Sequence, residues 1–494
     1  MSFQAAGWHI QSLRAKPQHS SGSLGRCGDK VATGNLVKRS LHRVKQLWSG
    51  KAGADSKEWK RVRELLRDCA ANLGGEVSTR LRAAKLGETY LQFDDENRKA
   101  FLRLIVHEFG PEPPKVAAAH KAWQEALGTD AQWQAEAALR AALRSPRLRI
   151  LTQFNALPQG VKFLVDLRAD LNRYMREDFA LQALDRELES RLVAWFDVGF
   201  LELQRITWHS PAALLETLIR YEAVHEIRSW ADLKNRLDSD RRCYAFFHPR
   251  MPEEPLIFVE VALINRLADN VQTLLDEHAP LFDETRADTA IFYSISNTQA
   301  GLRGVSFGNF LLKRVIDDLK QDFPRLSTFA TLSPLPLLRR WAQNNEAVWT
   351  HAFAPSELGN ISKAASISRS LAAVRQLLED RRWMDDKQLA LLFQAPLTRL
   401  AACYLLHAKQ PSEAPVERPL DPVARFHLGN GARIERLNHL GDCSEKGFQQ
   451  SYGMMVNYVY HLDTLETNVE ELLRRGKIDA VSGIRTMAKM PNAT

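Results

Sequence analysis

From about residue 40 to 195 the apolar positions recur at the spacing of amphipathic helices. Trp59, Val62, Leu66 and Cys69 fall three or four residues apart behind Asp55 and Glu58, whose own spacing is that of a capping box. Phe101, Leu104, Ile105 and Phe109 repeat the pattern, and Gly110-Pro111 stops it because proline has no N–H to continue a helix. Further amphipathic stretches run through 115–127, 131–143, 158–175 and 178–197, with few β-branched runs between them. Residues 39–195 therefore read as an all-α bundle, whose commonest role without visible chemistry is packing or oligomerisation. Beyond residue 196 the pattern changes. The segments 242–248 (RCYAFFH), 255–264 (PLIFVEVALI), 290–296 (AIFYSIS) and 326–332 (LSTFATL) are short, aromatic and β-branched, with Pro or Gly nearby. Strand signals alternating with helical ones make residues 196–494 α/β or α+β.

Composition changes this picture in a few places. The chain has 494 residues, 45% hydrophobic and 26% charged, the balance of a globular protein with ample core. The net charge is +8, but residues 1–50 hold eight Lys or Arg against Asp29 alone, so +7 of it sits there. The rest has no basic stripe interleaved with aromatics, and no nucleic acid is expected as a partner. Residues 1–38, rich in Gly, Ser and basic groups and lacking apolar periodicity, read as a flexible basic tail; being acid-poor, they also fit an organellar presequence. The longest strongly apolar stretch is read as Pro255–Ile264, about half of the ~20 residues a membrane span needs, so no membrane partner is expected. Five scattered cysteines, none in C-x-x-C spacing, argue against a disulfide scaffold or a zinc site and for a reducing compartment.

The stretch 291–315 (IFYSISNTQAGLRGVSFGNFLLKRV) carries the densest chemical signal. A strand ends near Ser296, a loop with Gly301, Gly304 and Gly308 follows, and a helix opens near Phe307. Leu311, Val315 and Leu319 share one face of that helix, while Lys313, Asp317 and Lys320 stay solvated. A glycine loop feeding a helix N-terminus offers free backbone N–H groups and the positive end of the helix dipole, which suits a phosphate or pyrophosphate. It is neither a Walker A loop nor the G-x-G-x-x-G fingerprint, and a tight turn also accounts for its glycines. Within it, Gly304 to Gly308 matches G-x-S-x-G and raises a serine hydrolase, with Ser306 as nucleophile, His427 as base and Asp442 or an earlier Asp as orienter. That motif needs its serine on the turn directly after the strand, whereas about nine residues separate Ser296 from Ser306.

Two further positions stand out. Ser333 falls at a strand end in 329–336 (FATLSPLP), where two prolines hold the exit extended and leave few donors to compete for the hydroxyl. A turn bond to backbone is the plainer alternative. His427 lies in 425–432 (RFHLGNGA), ahead of Gly429-Asn430-Gly431, with no ligand set that would hold a metal. It reads either as a satisfied structural histidine or as a site base. In 451–460 (SYGMMVNYVY), Asn457 and Tyr460 alternate with apolar positions as in a half-buried strand.

Together and in this order, these segments resemble the malonyl-CoA decarboxylase family. RITWHSP (205–211), YEAVH (221–225) and RRCYAFFHPRMPEEPLIFVEVALI (241–264) extend the resemblance, which covers roughly 160–465 well. It implies an α+β architecture: an N-terminal all-α helical bundle domain (39–195) used in oligomerisation, then a GNAT-like α/β catalytic domain (196–494). In that fold a Q/R-x-x-G-x-G/A loop binds the coenzyme A pyrophosphate. Arg303 to Gly308 fits it except that Ser306 replaces the first Gly. The resemblance thus assigns the thioester ligand to Arg303, Gly304, Val305, Ser306, Phe307, Gly308 and Asn309. It makes Ser333 and His427 the catalytic pair, with Ser294 and Tyr460 as pocket groups.

The implied reaction converts malonyl-CoA to acetyl-CoA and CO2. The electron pair left behind by CO2 passes to the thioester carbonyl as an enolate, so no metal, biotin or pyridoxal cofactor is required. A histidine of near-neutral pKa suits protonation of the α-carbon, with Ser333 bonding the malonyl carboxylate or His427. The implied assembly is a homo-oligomer, a tetramer built as a dimer of dimers. Family members occur in the bacterial cytoplasm, mitochondria and peroxisomes. The ending Pro491-Asn492-Ala493-Thr494 is not a peroxisomal address, so the cytoplasm is expected, with the mitochondrial matrix as the alternative. A GNAT-type acetyltransferase acting on an amine is the competing activity, because it would share the loop and the coenzyme A site.

Overall fold

A computed structural model describes residues 57–73, 75–305, 310–411 and 416–489. The basic tail 1–38, Asp55 of the expected capping box, and the loop residues Ser306, Phe307, Gly308 and Asn309 lie outside the described residues. The chain divides between Arg63 and Glu64, and on the first side only Lys57–Arg63, the opening turns of the helix Lys57–Ala71, is described. From Glu64 onward the helical segments and the sheet belong to one unit.

Helices fill the described chain up to Trp195, and the periodic segments become Asp95–Glu108, Pro113–Ala126, Gln132–Leu143, Gly160–Tyr174 and Gln182–Trp195. The helix Asp95–Glu108 shows why. Asp94 caps it by accepting the Asn97 N–H at 3.0 Å, two acids occupy its first turn, and Phe101, Leu102 and Ile105 are buried on one face. Gly160–Tyr174 and Gln182–Trp195 pack together, burying Leu164, Leu167 and Leu171 on one and Leu184, Leu188 and Leu192 on the other.

The sheet follows. β1 (Glu202–Ile206), β2 (Arg241–Phe247), β3 (Ile257–Ile264) and β4 (Thr289–Asn297) form an antiparallel meander. The chain then crosses through the helix Phe310–Asp322, whose Leu311, Val315 and Leu319 are buried, and returns as β5 (Thr328–Thr331) parallel to β4. After Leu332 comes the short β6 (Ser333–Pro334); β7 (Lys409–Gln410) and β8 (Arg418–Pro419) make a separate ribbon. β9 (Arg433–Asn438) pairs along the whole of β10 (Met455–Val459), so β5 and β6 share the other edge of β10. The expected order, a helical region followed by a mixed sheet-and-helix domain, is the one the chain adopts.

Two local features open this sheet. Pairing between β4 and β5 stops at Phe292 and Thr331, while β4 runs on to Asn297. Ser333 and Pro334 instead register with Val456 and Met455 of β10, and Pro334 has no N–H to offer a second ladder. A bulge opposite Glu260 and Val261 adds a kink to β4 at Tyr293. The strands diverge and leave a wedge between β4 and β6.

Two expectations are corrected here. β10 is not half-buried: all of Met455–Val459 is buried, because the strand is paired on both edges inside the sheet. Pro255–Ile264 is also not the most extended apolar segment. The helix Lys387–His407 is long and apolar enough by length and composition to cross a membrane, a signal interrupted in the sequence by Gln394, Pro396 and Arg399. In the fold it packs against Glu346–Ala352, Pro355–Ala364 and Ser482–Met487, with Leu397, Leu400 and Cys403 buried.

Candidate active site

His427 belongs to a helix that the sequence pattern did not reveal, Pro422–Gly429. Asp421 caps it, accepting the N–H groups of Val423 and Ala424 at 2.8 Å each, and Pro422 opens the first turn. Tyr404 donates to the other carboxylate oxygen of Asp421 at 2.7 Å and so anchors the cap to the helix Lys387–His407. His427 stands in the last turn, and its buried ring stacks on Tyr458 with centroids 4.7 Å apart.

Both ring nitrogens are engaged. Nδ1 lies 2.6 Å from the Tyr460 hydroxyl and Nε2 lies 3.2 Å from Ser333 Oγ. Ser333 donates in turn to Thr331 Oγ1 at 2.8 Å, which also accepts the Tyr458 N–H at 3.2 Å. One donor order uses every hydrogen once: Tyr460 O–H to Nδ1, Nε2–H to Ser333, and Ser333 O–H to Thr331. Next to this chain, Asn457 is fully buried and donates to the carbonyls of Thr331 and Ala268 at 2.7 and 2.9 Å, which fixes β10 against the end of β5.

The electrostatics are those of a buried, neutral relay. Burial pushes the His427 imidazole down to about 3 and the Tyr458 and Tyr460 hydroxyls well up. The expectation of a near-neutral histidine is therefore corrected: the free site holds an uncharged imidazole at pH 7, because among the described residues no carboxylate is hydrogen-bonded to the ring.

The wedge between β4 and β6 holds a cavity of about 580 Å³, of the size that small-molecule sites have. β4 contributes Phe292, Ile295 and Asn297 to its walls, β6 contributes Ser333 and Pro334, and His427 faces them. Val305 of the glycine loop and Leu311 of the helix after it line the same cavity. Arg303 is exposed, and Gly304 adopts φ +86°, the left-handed region that glycine enters without strain. Among the described residues, no three His, Cys, Asp or Glu side chains converge as a metal site.

The structure thus brings together Ser333, His427 and Tyr460, with Val305 in the same cavity. Ser294 goes elsewhere: its hydroxyl donates to Glu222 at 2.7 Å and lies 3.2 Å from Ser296 Oγ, and it is not a wall of the cavity. The bulge at Tyr293 is the local cause. The base–orienter pair of the hydrolase reading, His427 with Asp442, does not form either. Asp442 accepts from Gln272 and from the Ser444 N–H at 2.7 and 2.9 Å, while both nitrogens of His427 are taken by Tyr460 and Ser333. Thr331 and Tyr458 were missed from sequence; each stands two residues before a residue that was found, Ser333 and Tyr460.

Comparison with known proteins adds an independent finding. Residues 199–494 match the family described as Malonyl-CoA decarboxylase C-terminal domain, and residues 109–196 match Malonyl-CoA decarboxylase N-terminal domain. The chain belongs to the malonyl-CoA decarboxylase family. It is 37% identical over 409 residues to "Malonyl-CoA decarboxylase, mitochondrial" of Anser anser anser, covering 78% of this chain and 79% of that one. The rat protein of the same name is 39% identical over 369 residues, with 72% and 73% covered. The crystal structure of malonyl-CoA decarboxylase from Rhodopseudomonas palustris superposes with a TM-score of 0.77 at 40% identity, covering 86% of this chain and 99% of that one. The two family matches meet between Trp195, where the helices end, and Glu202, where β1 begins.

Proposed function

We propose that this chain, as a malonyl-CoA decarboxylase, converts malonyl-CoA to acetyl-CoA and CO2, with His427 delivering the proton and Ser333 aligning it. The observation that carries the mechanism is the buried Tyr460–His427–Ser333–Thr331 chain, of which His427 and Ser333 line the wedge cavity. In the empty cavity the imidazole is neutral. A malonyl carboxylate placed beside it supplies the counter-charge that burial withholds, so His427 takes up a proton with the substrate. Breaking the bond to the carboxylate carbon releases CO2 and leaves its electron pair on the thioester enolate. Nε2–H, directly or through Ser333, then protonates the α-carbon. With the carboxylate gone, burial disfavours imidazolium and so drives the proton onto carbon. Each turnover consumes one solvent proton, as the reaction requires.

Residues 303–309 are proposed to hold the coenzyme A diphosphate. The exposed Arg303 before the helix Phe310–Asp322 supports this, because a helix N-terminus attracts phosphate. Ser294, bonded to Glu222, is proposed to hold the β4 wall rather than to touch substrate. The helical region is proposed to assemble the chain into a tetramer, a dimer of dimers. The helices Pro113–Ala126 and Gln132–Leu143 pack on each other, bury no residue of their own and leave Trp133 exposed, which a second copy would cover. The compartment is proposed to be the cytoplasm, and the mitochondrial names of the goose and rat relatives support the matrix alternative. The test is product analysis with purified, metal-stripped protein: equal amounts of CO2 and acetyl-CoA support the reading, and acetyl transfer to amines without CO2 release overturns it.

A further inference from the structure

The apolar stripe of the helix Gly160–Tyr174 runs through Val161, Leu164, Val165 and Leu171, and Arg168 stands on that same buried stripe. A buried guanidinium must find partners for its donors, and this one has a partner at each of its three nitrogens. Nε donates to Asp185 at 2.8 Å and Nη2 reaches Glu189 at 3.0 Å, both on the helix Gln182–Trp195. Nη1 crosses to the sheet domain and donates to the backbone carbonyls of Gly301 and Arg303 at 2.9 and 2.8 Å.

Two glycines seat the same segment independently. A Cβ on Gly301 would stand 1.8 Å from the Val165 carbonyl oxygen, so only glycine lets the turn lie against the helix. A Cβ on Gly304 would stand 2.8 Å from Glu189 Oε1, at a φ of +86° that already favours glycine. The backbone from Gly301 to Val305 is thus pressed onto the helical region at three points. Val305 at its end lines the cavity, and the side chain of Arg303 is exposed while its carbonyl is held.

We propose that Arg168, with Asp185 and Glu189 as its counter-ions, is a positioning residue for the coenzyme A end of the substrate. The helical region then sets substrate affinity as well as assembly. This rests on the reading of residues 303–309 as the diphosphate loop. Arg168 does not touch substrate; two acids neutralise it, and it acts through the backbone it grips.

The test compares malonyl-CoA with malonyl-pantetheine, which carries the reacting group but no nucleotide or diphosphate. Arg168→Lys keeps the charge that Asp185 needs but cannot span two carbonyls and two acids, so the fold is retained. It is expected to raise KM for malonyl-CoA by about tenfold or more, the value of a lost charge-assisted bond, with kcat within about threefold. The kcat/KM for malonyl-pantetheine stays at the wild-type value. Gly301→Ala, which displaces the same backbone, follows the same pattern. An equal loss with both substrates, or an unchanged KM for malonyl-CoA, overturns the proposal. Arg303→Glu separates this from the loop reading beneath it. If Arg303→Glu weakens coenzyme A binding and Arg168→Lys does not, only the clamp fails; if Arg303→Glu has no effect on coenzyme A affinity, the loop reading itself fails.

Discussion

Arg236 and His427 are both almost completely buried beside the same sheet, yet their surroundings are built in opposite ways. The Arg236 guanidinium donates to Asp232 at 2.8 Å, to Glu260 at 3.1 Å and to the Glu226 carbonyl at 3.1 Å, so its charge is answered inside the protein. Glu260 is so buried that its carboxyl is pushed up to about 8, with Arg236 opposing the shift and Glu222 adding to it. His427 has only hydroxyls against its nitrogens and is held neutral. The first cluster is complete without a ligand. The second is a neutral relay in the wall of a cavity, able to change protonation state when a carboxylate arrives.

Breaking the relay gives the largest expected effect. His427→Asn should lower kcat by about 10²–10⁴, the usual worth of general acid catalysis, while malonyl-CoA still binds. Ser333→Ala should also lower kcat, and the double variant should lose less than the sum because the pair acts as a unit. Rapid-quench measurement of CO2 release in a single turnover reads these losses directly. Breaking the ionic cluster should act on stability instead. Asp232→Asn leaves Arg236 short of one buried counter-charge and should cost about 3 kcal/mol in urea unfolding, with kcat in the folded fraction within about threefold.

The two clusters should also tilt the pH dependence of stability in opposite directions. His427 has a folded-state pKa below its unfolded value, so below about 6.5 the unfolded chain binds the proton that the folded one refuses. Stability is therefore lost as pH falls from there toward 3. Glu260 has a raised folded-state pKa, so its contribution is full below about 4.5 and is lost as pH rises through about 8. Each slope is at most about 1.4 kcal/mol per pH unit, and His427→Asn and Glu260→Gln should each flatten only its own limb. The smallest effect is expected at Ser294, whose hydroxyl faces Glu222. Ser294→Ala should lower kcat by less than about tenfold, whereas a loss equal to that of Ser333→Ala would return Ser294 to the substrate pocket.

Much of the architecture was legible because pattern and burial agree. The helices before Trp195 and the strands β2 to β5 carry one face or one run of apolar residues each, and periodicity finds them. The helix holding His427 was not found. Its cap, Asp421, and its opening Pro422 sit beside further prolines at 415 and 419 that read as loop, although Asp-Pro is itself a helix-start signal. The resemblance located Ser333, His427 and Tyr460 as separate points. Their contact depends on β6 leaving β4 for β10 at Leu332, a pairing that no local pattern encodes. The protonation state was invisible for the same reason, since it is set by which groups surround the ring, and these come from β5, β6, β10 and a helix far apart in the chain. Arg168 was hidden differently: a cation on an apolar helical stripe looks like a break in the pattern until its two carbonyl partners, more than a hundred residues away, are placed against it.

The central claim is that His427 is neutral in the empty site and gains its proton with the substrate carboxylate. The most direct test is calorimetric binding of 2-carboxyethyl-coenzyme A, which keeps the carboxylate but cannot form an enolate, in buffers of different ionisation enthalpy at pH 7. The account predicts uptake of close to one proton by the wild-type protein, and close to none with ethyl-coenzyme A or in His427→Asn. Tight binding of the carboxylate analogue to the wild-type protein with no proton uptake would contradict it.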